Sequence, residues 1–412
     1  MTALVVYRDT TRVGRLDRSA NDDVQFTYDA GVTAAVGLCL PVRAKPYTGP
    51  LVLAVFENLL PEGALRDALG TATKHDVRDT VGLLGAVGGE CAGALQLWPE
   101  GTAPVLPPRY EPLTASALRS AFLSADGQLR QVTGRASLSG AQAKLALWRM
   151  PPVNGEHPKY QLPVDGAPTT VVVKRPGAQF AGLLEAELVG MRLMEAAGVP
   201  TASSARCAVA PTCHESERFD RVVTADGAVH RRHAEDGCQL TGRLSRQKYA
   251  GQGGPTYQEL VAVLNRNSVD PLTDREMLFR WAVANAAMGN HDAHAKNVSV
   301  VYETTDLVRL APAYDVVVTA LFPELDQTLA LSFGGTTQPA ALNAHSLKVA
   351  AREFRFTPAR ARDLADDVCT RVAGALDAVL HDVAKSDGDE AVLARLRTTV
   401  QGTLAAVKKC VM

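Results

Sequence analysis

Gly289-Asn-His-Asp-Ala-His-Ala-Lys-Asn297, followed after a short strand-like segment by Tyr314-Asp315, is the stretch on which the reading of this chain turns. An aspartate, an asparagine five positions on and a later second aspartate is an arrangement used for phosphoryl transfer. The first carboxylate can orient an attacking hydroxyl, while the amide and the second carboxylate can hold Mg²⁺ against ATP phosphates. The spacing predicts a helix through Met277, Trp281, Ala284 and Met288 that delivers Asp292 to a cleft. Asp315 follows Leu310-Ala-Pro-Ala-Tyr314, a turn back into the same cleft. Two plainer readings stand beside this one. Asp292 can cap a turn while Asn297 bonds backbone, and His291 and His294 with Asp292 can form part of a zinc site.

Working outward, the run Thr169-Thr-Val-Val-Val-Lys174 is a β-branched strand ending on a lysine, placed to face nucleotide phosphates. The next predicted helix, 183–197, has Leu184, Leu188 and Met191 on one stripe and offers Glu185 or Glu187 to orient Lys174. Upstream, Ser137-Leu-Ser-Gly-Ala-Gln-Ala-Lys144 is a loop of small residues whose backbone N–H groups can approach phosphate oxygens closely. Each signal alone is weak, because a short Ser/Gly turn is commonly only a turn and a terminal lysine is commonly solvated. Their order along the chain is what points to a kinase.

Composition sets the bounds. The 412 residues are 46% hydrophobic and 21% charged, which suits two or three domains with sizeable cores. The net charge of −1 gives no electrostatic ground for direct nucleic-acid binding. Seven dispersed cysteines without a CxxC pair read as reduced thiols. The first residues lack an apolar signal core, and no apolar run suffices to span a bilayer, so a cytoplasmic, membrane-free protein is expected.

The pattern divides the chain. A hairpin is expected from strands 3–7 and 12–16, then helical pieces over 54–69 broken at Pro61, a glycine-rich stretch 82–93 and a strand 94–98. Five prolines in 99–112 mark a linker. Strands are expected at 143–149, 170–174, 206–210 and 217–224, with a polar excursion at 150–169. From 256 the helical period dominates, ending in helices 357–384 and 390–409. The expected fold is α+β: a small mixed N-terminal domain (1–110), then two lobes, a strand-rich one (111–232) and a helix-rich one (233–412).

Taken together, SLSGAQAKLALW (137–148), TTVVVKRP (169–176), ERFDR (217–221), AEDGCQLTG (234–242), GNHDAHAKNVSV (289–300) and APAYDVV (311–317) resemble the HipA family of toxin serine/threonine kinases. VYRDTTRVGRL, ENLLPEG (57–63) and ALQLWPEG resemble that family's N-terminal region. The resemblance implies a protein-kinase-like two-lobed fold using ATP and Mg²⁺. Asp292 would be the catalytic base, Asn297 and Asp315 the metal ligands, and Lys174, oriented by Glu185 or Glu187 of the following helix, would hold ATP phosphates. Glu235 and backbone at 235–238 would meet adenine and ribose. Ser139, Gly140, Ala141, Gln142 and Lys144 would cover the phosphates. Autophosphorylation is expected on Ser137 or Ser139, where added negative charge would act as an off-switch. Ala143 and His291 depart from the family pattern. The family further implies a helix-turn-helix antitoxin of the HipB kind that alone contacts DNA, and a target in translation such as an aminoacyl-tRNA synthetase. A small-molecule kinase of the aminoglycoside or choline type, and a non-catalytic nucleotide-binding regulator, are the competing classes.

Overall fold

A hairpin opens the chain as the alternation predicts: strands β1 (Leu4–Arg8) and β2 (Thr11–Arg18) pair antiparallel around a turn at Asp9, which adopts φ 53°. The computed structural model describes residues 3–18, 24–121, 144–150, 158–177 and 179–411. Strands β3 (Val24–Tyr28), β4 (Tyr47–Thr48) and β5 (Leu95–Pro99) complete a sheet in the order β4-β3-β2-β1-β5. Helices α1 (Pro50–Phe56), α2 (Gly63–Thr73) and α3 (Thr80–Val87) cover it. Leu4, Val6, Phe26, Phe56 and Leu97 are buried between these layers. Between α1 and α2, Glu57–Leu59 form a single tight turn ahead of Pro61.

The second sheet contains β6 (Arg109–Leu113), β7 (Lys144–Met150), β8 (Lys159–Val164), β9 (Val171–Lys174), β10 (Ser204–Cys207) and β11 (Ala210–Glu217). Its order is β10-β11-β9-β7-β8-β6. This region departs from the sequence-based expectation in several places. The linker carries β6, an edge strand that accommodates Pro112 because an edge leaves one side of its backbone unpaired. The polar excursion carries β8, whose Tyr160 and Leu162 alternate into the core. The strand expected at 217–224 breaks at Arg218–Asp220, whose charged side chains turn inward, and resumes as β12 (Arg221–Val223), paired with β13 (Val229–Arg231).

Helix α4 (Ala115–Ala121) packs on this sheet, and α5 (Leu183–Ala196) follows, packed between β10–β11 and the later helices. Beyond lie the three-stranded sheet β14 (Ala234–Asp236), β15 (Ser299–Tyr302) and β16 (Val308–Leu310), and the helices α6 (Gly237–Thr241), α7 (Tyr257–Asn267), α8 (Pro271–Met288), α9 (Ala344–Glu353), α10 (Pro358–Lys385) and α11 (Glu390–Lys408). In α10 the Thr357 hydroxyl caps the first turn by accepting from Arg360 N, and Pro358 starts the helix where no N–H is needed. Leu364, Val368, Val372, Leu376, Val379 and Val383 then recur every three or four residues and are buried. Burying each such side chain stabilises by about 1.5–3 kcal/mol before entropy is subtracted. The fold is α+β, with a cleft between the second sheet and the helical region. All seven cysteines are free thiols. Among the described residues no helix is long and apolar enough to cross a membrane.

Candidate active site

Helix α8 ends where a backbone must turn sharply. Gly289 takes φ 79°, and a Cβ there would meet Ala320 Cβ at 2.7 Å. The turn sends Asn290–Asn297 along the cleft floor, held by its own polar groups and by neighbouring segments. Asn290 Oδ1 accepts from Asp292 N (3.2 Å), and His291 N donates to Thr319 Oγ1 (2.7 Å). Asn297 Nδ2 donates to the main-chain oxygen of Asp292 (3.0 Å), which leaves the amide oxygen of Asn297 for the cleft. The loop is therefore fixed at several points, and the side chain of Asp292 stays open to the cavity.

Lys174, at the end of β9, is buried, and its Nζ bonds Glu187 Oε1 (2.7 Å) and Asp315 Oδ1 (2.5 Å). Of the two glutamates the sequence offers, Glu187 is the partner, and Glu185, the one expected at the nucleotide site, is not. Glu185 faces elsewhere, bonding Arg206 NH2 at 2.5 Å. Two residues apart on a helix point to nearly opposite sides, so both glutamates are buried but only one can reach the lysine. Helix α5 comes this close because Gly190 lies against the 315–318 segment. A Cβ at 190 would sit 2.4 Å from the Val316 oxygen. Asp315 itself adopts φ 57°, a sparsely populated conformation that aspartate tolerates better than most residues and that recurs at functional sites.

The electrostatics divide these groups. Burial pushes the Asp315 carboxyl up, but Lys174 and Lys144 outweigh it and hold it well below the usual carboxylate range. Asp292 goes the other way. Desolvation raises it, and the charges of Asp315 and Glu62 add to this, against the Tyr249 hydroxyl and Lys248. Two neighbouring carboxyls with opposed shifts suit one to a fixed anionic role and the other to proton transfer. Lys144 lies opposite Lys174 across β7 and β9, and burial together with the Lys174 charge lowers it to about 8. His294 is buried and lowered to about 3, chiefly by desolvation, so it is neutral at physiological pH.

Lys144, Lys174, Asp292, Asn297 and Asp315 all line one cavity of about 750 Å³. This is within the size range of cofactor and nucleotide sites. Glu235 is nearly fully buried, and its carboxylate turns from the cleft into the N-terminal sheet's loops. Its Oε1 accepts from Leu38 N (2.9 Å) and Tyr302 OH (2.5 Å). Burial raises this carboxyl to about 7. Any contact with a nucleotide's base end at this position thus falls to the backbone of β14 and α6. Ser137, Ser139, Gly140, Ala141 and Gln142 lie outside the described residues. Among the described residues no group of three or more His, Cys, Asp or Glu side chains converges to hold a metal, which removes the zinc reading of His291, Asp292 and His294.

The sequence also left out residues that the fold brings in. Asn58 and Glu62, from the turn after α1, reach the cleft from the N-terminal region. Asn58 accepts Lys296 Nζ through its main-chain oxygen (3.0 Å) and Oδ1 (2.8 Å), and Lys248 Nζ bonds Glu62 Oε2 at 2.6 Å. The motif ENLLPEG was visible, but nothing local in it shows that it docks on a loop more than 200 residues away.

The family model for the HipA-like C-terminal domain matches residues 136–376, and that for the HipA N-terminal domain matches residues 4–98. Y4mE of Sinorhizobium fredii, described as a kinase, is 33% identical over 423 residues, covering 98% of each chain. The serine/threonine-protein kinase toxin HipA of Shewanella oneidensis is 27% identical over 315 residues, 70% of this chain and 68% of that one. A solved structure of HipA from Shewanella oneidensis MR-1, in complex with HipB and operator DNA, superposes with a TM-score of 0.83 at 22% identity, covering 98% and 97% of the two chains.

Proposed function

The chain belongs to the HipA family of kinases, and we propose that it is an ATP-dependent serine/threonine protein kinase acting as the toxin of a toxin–antitoxin pair. The observation that carries the catalytic part is the convergence of Lys174, Asp292, Asn297 and Asp315 on one cavity. Each contributes something phosphoryl transfer requires. Lys174, oriented by Glu187, places a cation where ATP phosphates are to lie. Asp292 accepts the proton of the attacking hydroxyl, and its raised affinity for protons helps it do so. The amide oxygen of Asn297 and the carboxylate of Asp315 are hard oxygen donors suited to Mg²⁺. Bound there, the ion would neutralise phosphate charge in the transfer. Little covalent chemistry is asked of the protein, so rate depends on positioning and charge.

We assign the phosphate-covering role to Ser139–Gln142 with Lys144, and autophosphorylation to Ser137 or Ser139. The partner is a small helix-turn-helix antitoxin that carries the DNA contact, in keeping with the chain's net charge of −1. This reading is supported by the likeness to a HipA solved with HipB and operator DNA. The substrate is a protein of translation, an aminoacyl-tRNA synthetase being the first to examine, in the cytoplasm.

Incubation with Mg²⁺ and γ-labelled ATP tests the reading. Label should appear on the chain itself, map to Ser137 or Ser139 by peptide mass spectrometry, and transfer to a protein of a cell extract. Label found neither on the chain nor on any extract protein would contradict it.

A further inference from the structure

Tyr249 lies in the cleft with no task in the scheme above. We propose that Tyr249 is a positioning residue for phosphoryl transfer, holding one oxygen of Asp292 so that the other is presented to the acceptor hydroxyl. The inference rests on the assignment of Asp292 as base.

Tyr249 Oη donates to Asp292 Oδ1 at 2.6 Å. A carboxylate on a loop otherwise turns freely about its last torsion, and a base facing the wrong way wastes the alignment the site supplies. A tyrosine suits the task because its rigid ring brings a hydroxyl to a distant point with only two torsions to fix. This ring is fixed on several sides. It meets the His294 ring edge to face, centroids 5.2 Å apart, and the Lys248 ammonium lies 5.4 Å from its centroid. Lys248 is tied in turn to Glu62 across the cavity.

The backbone on each side of Tyr249 is also tied. Ala295 N donates to the Lys248 oxygen (3.1 Å), and Ala250 N donates to the Ala330 oxygen (2.7 Å). The first of these bonds comes from the catalytic loop itself and ties the tyrosine's segment to that of its aspartate. The neighbouring functional groups have other partners: Lys174 bonds Asp315, and Asn297 bonds the Asp292 main chain. Tyr249 therefore acts on the base and leaves the phosphate-holding groups alone.

The substitution Tyr249→Phe removes one oxygen and keeps the ring, so the fold should persist, and a thermal melt checks that it does. The readouts are incorporation of γ-labelled phosphate into the protein and release of labelled phosphate to water. The maximal rate should fall on the order of 10–100-fold, while the KM for ATP stays within about twofold, because the nucleotide's contacts are intact. In an Asp292→Asn background the same substitution should cost nothing further, as expected of a residue acting through Asp292. A Tyr249→Phe protein as fast as wild type or faster overturns the proposal, and so does a loss that adds fully to that of Asp292→Asn. A wild-type protein that transfers no phosphate removes the kinase reading and this inference with it. An active wild type matched by Tyr249→Phe overturns the inference alone.

Discussion

Two clusters of charge lie in this molecule, one where the N-terminal sheet meets the second sheet and one in the cleft, and they are built to opposite ends. At the junction Glu90 is completely buried. Its Oε1 accepts from Thr169 N, Thr169 Oγ1, Arg218 NH1 and Arg221 NH2, and its Oε2 accepts from Arg231 Nε, all at 2.8–2.9 Å. Asp220 takes the other side of Arg218 and accepts from Gly93 N (2.6 Å). The arginines finish on the main-chain oxygens of Cys91 and Gly93. Every charge has a partner, as burial at this depth requires.

In the cleft two lysines stand opposite each other on neighbouring strands, Asp315 is in a left-handed conformation, and Asp292 faces the cavity with a raised affinity for protons. Like charges in register and an aspartate at positive φ both cost stability. The junction spends its charges on holding two sheets together. Under the proposed function the cleft keeps its charges for a nucleotide and its metal ion.

The contrast predicts where substitutions will register. The largest effect is expected from Glu90→Gln, which removes the one carboxylate shared by three buried arginines. It should cost about 3–5 kcal/mol of stability, read in chemical denaturation. The same group sets an acid limit. Burial pushes Glu90 up, but Arg221, Arg231 and Arg218 hold it down to about 2, below its unfolded value. Its contribution is thus present above the ordinary carboxylate range and is lost as pH falls from about 5 toward 2. Glu90→Gln should flatten the stability–pH curve in that window, and an unchanged slope would dissolve the distinction between the two clusters.

Next comes Asp315→Asn in the cleft. Asparagine tolerates the same backbone conformation and leaves Lys174 paired to Glu187, so stability should stay within about 1 kcal/mol of wild type or rise. Phosphate transfer should fall on the order of 10²–10³-fold. A variant that unfolds but still transfers phosphate would reverse the comparison. The smallest effect concerns Lys144. Lowered to about 8, it is charged at pH 7 and loses that charge as pH rises past 8. The KM for ATP should therefore climb about threefold between pH 7 and 9, and Lys144→Arg should keep it level.

Legibility in the sequence follows the same division. The cleft's main residues are readable because each sits on a local signal: Lys174 on a β-branched run, Asp292 and Asn297 just past a helix, Asp315 after a turn. The choice between Glu185 and Glu187 was not, since both lie on buried faces of α5 and only the position of Arg206 separates them. Tyr249, Asn58 and Glu62 were out of reach because their partners lie 43, 238 and 186 residues away. In the junction, ERFDR stood out as a motif, but a run of charges commonly reads as a solvated face. Only the fold shows Glu90 waiting for it. Strand β6 was hidden by a proline that its edge position tolerates, and β8, paired on both sides, by the polar and proline-containing residues around its buried Tyr160 and Leu162.

Under the proposed function the cleft's charges serve phosphoryl transfer with Asp292 as base, and Asp292→Ala puts that role to the test when ATP binding and transfer of γ-labelled phosphate are measured on the same sample. ATP binding should stay close to wild type, because Lys174 and Asp315 are untouched, with no measurable transfer to the chain or to other proteins. Transfer at the wild-type rate would contradict it.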